Sequence, residues 1–210
     1  MGETEKLREK SCEDFAAQLA SKAPVPGGGG AAAMAGTLAA ALCSMVANYT
    51  TGKKKYAAYE EDIQKALADA DEIRTELLRL IDEDAEAFRP LSKAYSIPKD
   101  DPTRADVLEK ATLNACRAPM AMMGEISKTV EIIEELEKKG STMMLSDTGC
   151  AAYIAEAALQ AAALNVGVNT RTLNDRVRAR ELDDKADGIL REYVPRAHAA
   201  AERIRQRIIK

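Results

Sequence analysis

The chain has 210 residues, enough for one domain with a sizeable core, and its low aromatic content (4%, no Trp) leaves alanine to supply much of the apolar mass. Alanine is the best helix former and β-branched residues are sparse, which argues against sheets. A formal net charge of −4 gives no basic footprint for nucleic acid, and Lys53-Lys54-Lys55 reads as a solvated helix start.

Met1 to Lys22 is polar and charged, without the apolar run of a signal peptide. Cys12, Cys43, Cys116 and Cys150 are widely spaced and form no Cys-x-x-Cys. They read as reduced, mostly buried thiols of a cytoplasmic protein. Leu7 to Ser21 is expected as a first amphipathic helix, with Phe15 and Leu19 inward.

From Ala23 to Gly52 there is no charged residue. Such a run is a core helix, a membrane span or the wall of a binding site. It exceeds the roughly 20 residues that a span requires. Its content, however, is Ala and Gly with Thr37, Ser44, Asn48, Thr50 and Thr51, whereas insertion is driven by large apolar side chains. A helix from Gly29 to Thr51, buried against other helices, is the expectation. The glycines Gly27-Gly28-Gly29-Gly30 follow no strand, so they are no dinucleotide fingerprint, and Thr51-Gly52-Lys53-Lys54 lacks the spacing of a phosphate loop. Two readings stand for them: a tight helix crossing, or a turn whose free N–H groups at a helix start receive an anion or carbonyl oxygen.

Lys55 to Ala94 carries Tyr56, Tyr59, Ile63, Leu67, Ala70, Ile73, Leu77, Leu80 and Ile81 at spacings of three and four, a long helix. Asp84, three after Ile81 and four before Phe88, edges this stripe and is the unusual acid of Asp82-Glu83-Asp84. Ile97 to Pro102 is a loop. Thr103 to Lys139 reads as another long helix bent near Pro119, ended by Gly140. Ser146 or Asp147 is expected to cap a fifth helix that reaches about Asn169. Asn174 or Asp175 opens a charged last helix, with a kink at Pro195. No segment alternates with period two.

The fold class is therefore all-α: a single domain over residues 1–210, a bundle of five to seven long helices. The uncharged helix and Gly149 to Leu164 both want burial on most faces. One small bundle has limited room for two such helices, so a symmetric dimer is expected.

The chemical inventory is short. His198, on the charged last helix, reads as surface, which leaves no histidine for a triad. No paired Glu-x-x-His and no cysteine zinc pattern occurs, so no metal is expected. Asp147 is either a helix cap or a carboxylate of raised pKa at the mouth of an apolar helix. Asn165 and Asn169 share one face, and with Asn48 they are buried amides in need of partners.

Taken together, several strings resemble the formiminotetrahydrofolate cyclodeaminase / methenyltetrahydrofolate cyclohydrolase family. They are Pro24-Val25-Pro26-Gly27-Gly28-Gly29-Gly30-Ala31-Ala32-Ala33, Ser44-Met45-Val46-Ala47-Asn48-Tyr49-Thr50 and Gly52-Lys53-Lys54-Lys55-Tyr56. Leu80 to Phe88, Ile97-Pro98-Lys99, Ser146-Asp147-Thr148-Gly149-Cys150-Ala151-Ala152 and Leu164-Asn165-Val166-Gly167-Val168-Asn169 follow in family order. The family usually has threonine at Val25 and often valine at Cys150. The resemblance implies an all-helical cytoplasmic homodimer acting on a tetrahydrofolate one-carbon unit, with no cofactor besides that substrate, no nucleic acid and no membrane. The reaction expected is hydrolysis of 5,10-methenyltetrahydrofolate to 10-formyltetrahydrofolate. The alternatives are release of ammonia from 5-formiminotetrahydrofolate and a non-catalytic folate-binding or assembly module. Both reactions need protons moved at a carbon held between N5 and N10, which one carboxylate and one lysine can do. Asp147 is expected as acid/base and Lys53 as its partner. Lys54 or Lys55 would reach the folate glutamate tail, which can be polyglutamylated. Asn48, Asn165 or Asn169 would meet the pterin edge. Pro26, Gly27, Gly28, Gly29 and Gly30 would line the crevice, with Asp84, Thr148 and Gly149 beside the substrate.

Overall fold

The apolar spacing resolves into seven α-helices over residues 6–209, the part of the chain that this computed structural model describes. They are α1 (Cys12–Leu19), α2 (Gly28–Asn48), α3 (Glu60–Tyr95), α4 (Arg104–Ala115), α5 (Arg117–Lys139), α6 (Leu145–Thr170) and α7 (Arg176–Ile209). Short 3-10 turns occupy Leu7–Glu9, Lys54–Tyr59 and Thr142–Met144, and no strand occurs among the described residues. The first residues of the polar N-terminal stretch, Met1 to Glu5, lie outside the described residues. The all-α expectation holds.

Helix α5 is central and packs against α2, α3, α6 and α7. Its Met122, Met123, Ile126 and Ile133 are fully buried, as are Ile63, Leu77, Leu80 and Ile81 of α3. Each such side chain contributes roughly 1.5–3 kcal/mol on burial. Helix α2 adds alanines rather than bulk, which lets its neighbours close on it. At Gly36 a Cβ would stand 2.8 Å from Ile126 Cγ1 and 3.2 Å from Leu77 Cδ1. Here α2 meets α5 and α3 together at a distance that only glycine permits.

Cross-helix pairs fix the directions. Gly36 opposite Ile126 and Gly140 opposite Val46 run α2 parallel to α5. Ser44 bonded to Asp71 and Gly29 against Asp84 run α3 antiparallel to α2. Helix α6 is also antiparallel to α2, since Gly28 meets Asn165 while Thr50 meets Ser141. Helix α7 lies along α5 and is tied to it by Arg196–Glu134 at 2.8 Å and Arg203–Glu137 at 2.6 Å.

Several boundaries differ from the sequence reading. The first helix begins only at Cys12, because the Ser11 hydroxyl accepts the Asp14 N–H at 3.0 Å and caps it there. The long segment from Thr103 breaks at Cys116, not Pro119. In an unbroken helix the Pro119 ring would press on the carbonyl of Ala115. Beginning α5 at Arg117 puts the proline in a first turn, where no N–H is required. Helix α6 starts at Leu145, with no side-chain cap, so Asp147 sits inside its first turn instead of capping it. At α7 the expected cap is present: Asp175 Oδ1 accepts the N–H groups of Val177 (3.1 Å) and Arg178 (2.9 Å). That helix runs on through Pro195 to Ile209. All four cysteines are free, but only Cys43 and Cys116 are buried; Cys12 and Cys150 are exposed. Burial pushes the Cys43 thiol up to about 12 and Cys116 to about 11, which makes both unreactive.

Two segments, Gly28–Asn48 and Thr142–Thr170, are long and apolar enough to cross a membrane by length and composition alone. The first is a core helix, covered by α3, α5 and α6. Because α5 lies beneath both α2 and α6, their opposite sides stay open. There α2 exposes Leu38, Met45 and Tyr49, and α6 exposes Tyr153, Leu164 and Val168.

Candidate active site

The side chains expected in the site gather at both ends of α2. At its N-terminal end, Gly27 stands at the cap position and offers no side chain to the free N–H groups of the first turn. The buried Pro26, joined to Val25 by a cis peptide, precedes it. Asp84 of α3 fills the space beside this turn. A Cβ on Gly29 would lie 2.5 Å from each of its carboxylate oxygens. Burial raises the Asp84 carboxyl to about 6, and the Gly30 backbone N–H opposes this by favouring the charged form. From α6, the Asn165 side chain lies on Gly28: a Cβ there would be 3.3 Å from Oδ1. Its amide N–H donates to the Ala161 carbonyl at 2.8 Å. Asn169 is used differently; its Nδ2 donates to the Ala115 carbonyl at 3.2 Å and ties α6 to the end of α4.

The C-terminal end of α2 leads into the lysines. Gly52 takes φ of 70°, the left-handed region that glycine enters without strain, and turns the chain outward before Lys53. Lys53 is exposed, with Nζ 5.8 Å from the centroid of the Tyr49 ring. Hydrogen bonds fasten this turn to the segment that leads into α6. The Thr50 hydroxyl accepts the Ser141 N–H at 2.8 Å, and the Tyr56 hydroxyl accepts the Thr142 N–H at 3.0 Å. Lys55 Nζ donates to Thr142 Oγ1 at 3.3 Å. Bonds from the Thr142 side chain and backbone bring the Tyr56 phenol down to about 7. Asp147, half-buried in the first turn of α6, lies at this same end, with the Ser146 hydroxyl 3.4 Å from its Oδ2. Asn48 is exposed on the last turn of α2, and Lys54 opens the 3-10 turn.

The structure thus brings Lys53, Lys54, Lys55, Asn48 and Asp147 to one end of α2. Pro26 to Gly30, Asp84 and Asn165 are at the other, with Asn169 one helical turn past Asn165 on α6. The 21 residues of α2 separate the two groups by about 30 Å. Thr148 and Gly149 face inward. The Thr148 hydroxyl donates to the Met144 carbonyl at 3.1 Å, and a Cβ on Gly149 would be 2.9 Å from Ile204 Cγ2. Asn48 is exposed rather than buried as expected. His198 is on the surface as expected, its Nδ1 3.2 Å from Glu156.

Tyr56 and Thr142, bonded to each other beside the lysines, are not among the residues expected in the site. Tyr56 had a signal, a phenol directly after three lysines. Thr142 had none, because only the antiparallel pairing of α2 and α6 brings it to the lysine turn.

The sequence and the all-helical fold both match a known class of protein. Residues 11–188 match the family described as Formiminotransferase-cyclodeaminase, and the chain belongs to it. Within that class it is 40% identical over 199 residues to the methenyltetrahydrofolate cyclohydrolase of Methylorubrum extorquens, covering 93% of this chain and 94% of that protein. It is 27% identical to the formimidoyltransferase-cyclodeaminase of Mus musculus over 91% of this chain, but spans only 36% of that longer relative. The crystal structure of formiminotetrahydrofolate cyclodeaminase from Thermotoga maritima shares the fold. Its TM-score is 0.83 at 28% identity, covering 94% of this chain and 98% of that one.

Proposed function

We propose that the chain is a methenyltetrahydrofolate cyclohydrolase, which adds water to 5,10-methenyltetrahydrofolate and releases 10-formyltetrahydrofolate. The observation that carries this reading is the 40% identity to a cyclohydrolase along nearly the full length of both proteins. The enzyme works as a cytoplasmic homodimer. Free thiols fit that compartment, and the open apolar side of α2 and α6 fits a second copy.

The residues suit the chemistry. Water attacks the amidinium carbon and gives up a proton. The added hydroxyl then loses its remaining proton as the N5–C bond breaks, N5 takes a proton, and the formyl group stays on N10. Asp147 serves as the carboxylate that stabilises the cation and moves the proton, and Lys53 supplies the electrostatic or proton-donating partner. Asp84, ionising near pH 6, joins Asn165 and the Pro26 to Gly30 turn in holding the pterin. Lys54 and Lys55 receive the glutamate tail, including longer polyglutamyl forms.

A second reading is release of ammonia from 5-formiminotetrahydrofolate. It is favoured by the close fold match to the Thermotoga cyclodeaminase. Purified protein assayed in parallel for methenyl hydrolysis and for ammonia release separates the two. Hydrolysis without ammonia release is expected. Ammonia release alone establishes the second reading, and folate binding with neither turnover establishes a binding module.

A further inference from the structure

Away from α2, three helices bring the same two kinds of side chain to one place. On α4, Lys110 stands three residues before Leu113. On α5, Arg117 stands three before Met120. On α7, Arg178 and Lys185 flank Leu182 at spacings of four and three. Residues so spaced share one face of a helix. The three faces meet beside the break between α4 and α5, around a cleft of about 610 Å³. None of the residues expected in the active site lines it, and α2 contributes nothing to it.

No Asp or Glu lines this cleft, on a chain whose formal net charge is −4. Three acids of the surrounding helices are engaged elsewhere. Glu109 accepts the Asn174 and Asp175 N–H groups at 2.7 and 2.9 Å, Asp183 accepts the Thr170 hydroxyl at 2.6 Å, and Glu181 pairs with Arg178 at 2.8 Å. Asp106 and Asp184 lie on the same helices but outside the lining. Lys110, Arg117 and Lys185 make no ion pair or hydrogen bond among the described residues. Cations gathered without a counter-charge raise a positive potential, which apolar walls concentrate. Leu113, Met120 and Leu182 supply such walls, the first exposed and the other two half-buried. A cleft of this size holds a small molecule, and its charge is too local to track a nucleic acid.

We propose that this cleft binds a small organic polyanion. An apolar body lies on Leu113, Met120 and Leu182, and two or more phosphate or carboxylate groups on it are received by Lys110, Arg117, Arg178 and Lys185. The planar fork of each arginine takes either group through two parallel N–H bonds, and the lysines add charge on flexible stems. Neither half of the ligand suffices alone. An inorganic anion leaves the apolar wall in water, and an apolar molecule leaves the cations unpaired. The site stands whether or not the folate reading does.

Direct binding to the purified full chain tests it without any turnover. The probes are trinitrophenyl-ATP for phosphate and dansyl-triglutamate for carboxylate. Each joins charge to an apolar body, and each is read by its fluorescence. Saturable binding of at least one is expected, weaker as salt rises because exposed charges are screened. The probe that binds tells phosphate from carboxylate. Arg117→Glu combined with Lys185→Glu should weaken binding by about 30-fold or more. If that pair fails to fold, Arg117→Gln with Lys185→Gln takes its place, with a loss of about tenfold. Leu113→Gln should weaken binding by about fivefold through the lost apolar contact. Tripolyphosphate, which has charge and no body, should compete at least about tenfold more weakly than the unlabelled nucleotide. Failure of both probes to bind overturns the proposal, as does binding that the cleft variants leave intact. Binding that is lost instead in Lys54→Glu with Lys55→Glu places the probe at the other basic cluster and overturns it equally.

Discussion

The Asp84 carboxylate occupies the space that a side chain at Gly29 would need: a Cβ there would stand 2.5 Å from both of its oxygens. Asp84 belongs to α3 and Gly29 to α2. The glycine turn is therefore shaped by a residue 55 positions away, and the carboxyl is desolvated by the turn it presses against.

Gly29→Ala forces Asp84 from its place or opens α2 from α3. Overpacking of this kind costs about 1–3 kcal/mol, to be measured by urea unfolding. Gly27→Ala is the control. Nothing lies within 4 Å of a Cβ there, so little stability should be lost.

Asp84 gives stability a defined pH dependence. Its carboxyl ionises near pH 6 when folded and near pH 4 when unfolded. A raised carboxyl favours the folded state only while protonated, and this advantage is lost as pH rises through 6. Asp84→Asn has no charge to bury. It should unfold at a higher temperature than the native chain at pH 8, by about 1–2 kcal/mol after allowing for the partial exposure of the group. The gap should close as pH falls from about 6 to 4. A gap that does not vary with pH would show that the carboxyl is not desolvated.

Lys53→Met should lower kcat by about 10²–10⁴-fold with a smaller change in KM. The side chain is exposed and bonded to no other element, so thermal stability should be unchanged. Asp147→Asn in a still-folded protein should show a loss of the same kind. Native turnover by the Asp147 variant would exclude its role as acid or base.

Tyr56→Phe removes the acceptor for the Thr142 N–H, one of the bonds that tie the lysine turn to the segment leading into α6. Losing such a bond costs about 1–2 kcal/mol. If the latch also holds Lys53 for catalysis, kcat should fall beyond what reduced stability explains at a temperature where the variant is fully folded.

Much of this protein was legible in the chain itself. Alanine content, the three-and-four spacing from Ile63 to Ile81 and the lack of alternation determine a helical bundle, because helical periodicity is a property of neighbouring residues. The uncharged run from Ala23 to Gly52 likewise marked a core helix, although one side of that helix, with Leu38, Met45 and Tyr49, stays exposed. Asp84 stood out by its place at the edge of an apolar stripe, but its partner Gly29 did not. Only tertiary packing decided that α2 runs parallel to α5 and antiparallel to α3 and α6. That choice parts Asp84 and Asn165 from Lys53 and Asp147. Motif order along a chain carries no information about distance across it, because a helix converts 21 residues into about 30 Å of fixed separation. The strings that identify the family could therefore be read in sequence, whereas the placing of the expected site residues at the two ends of one helix could be seen only in the folded molecule.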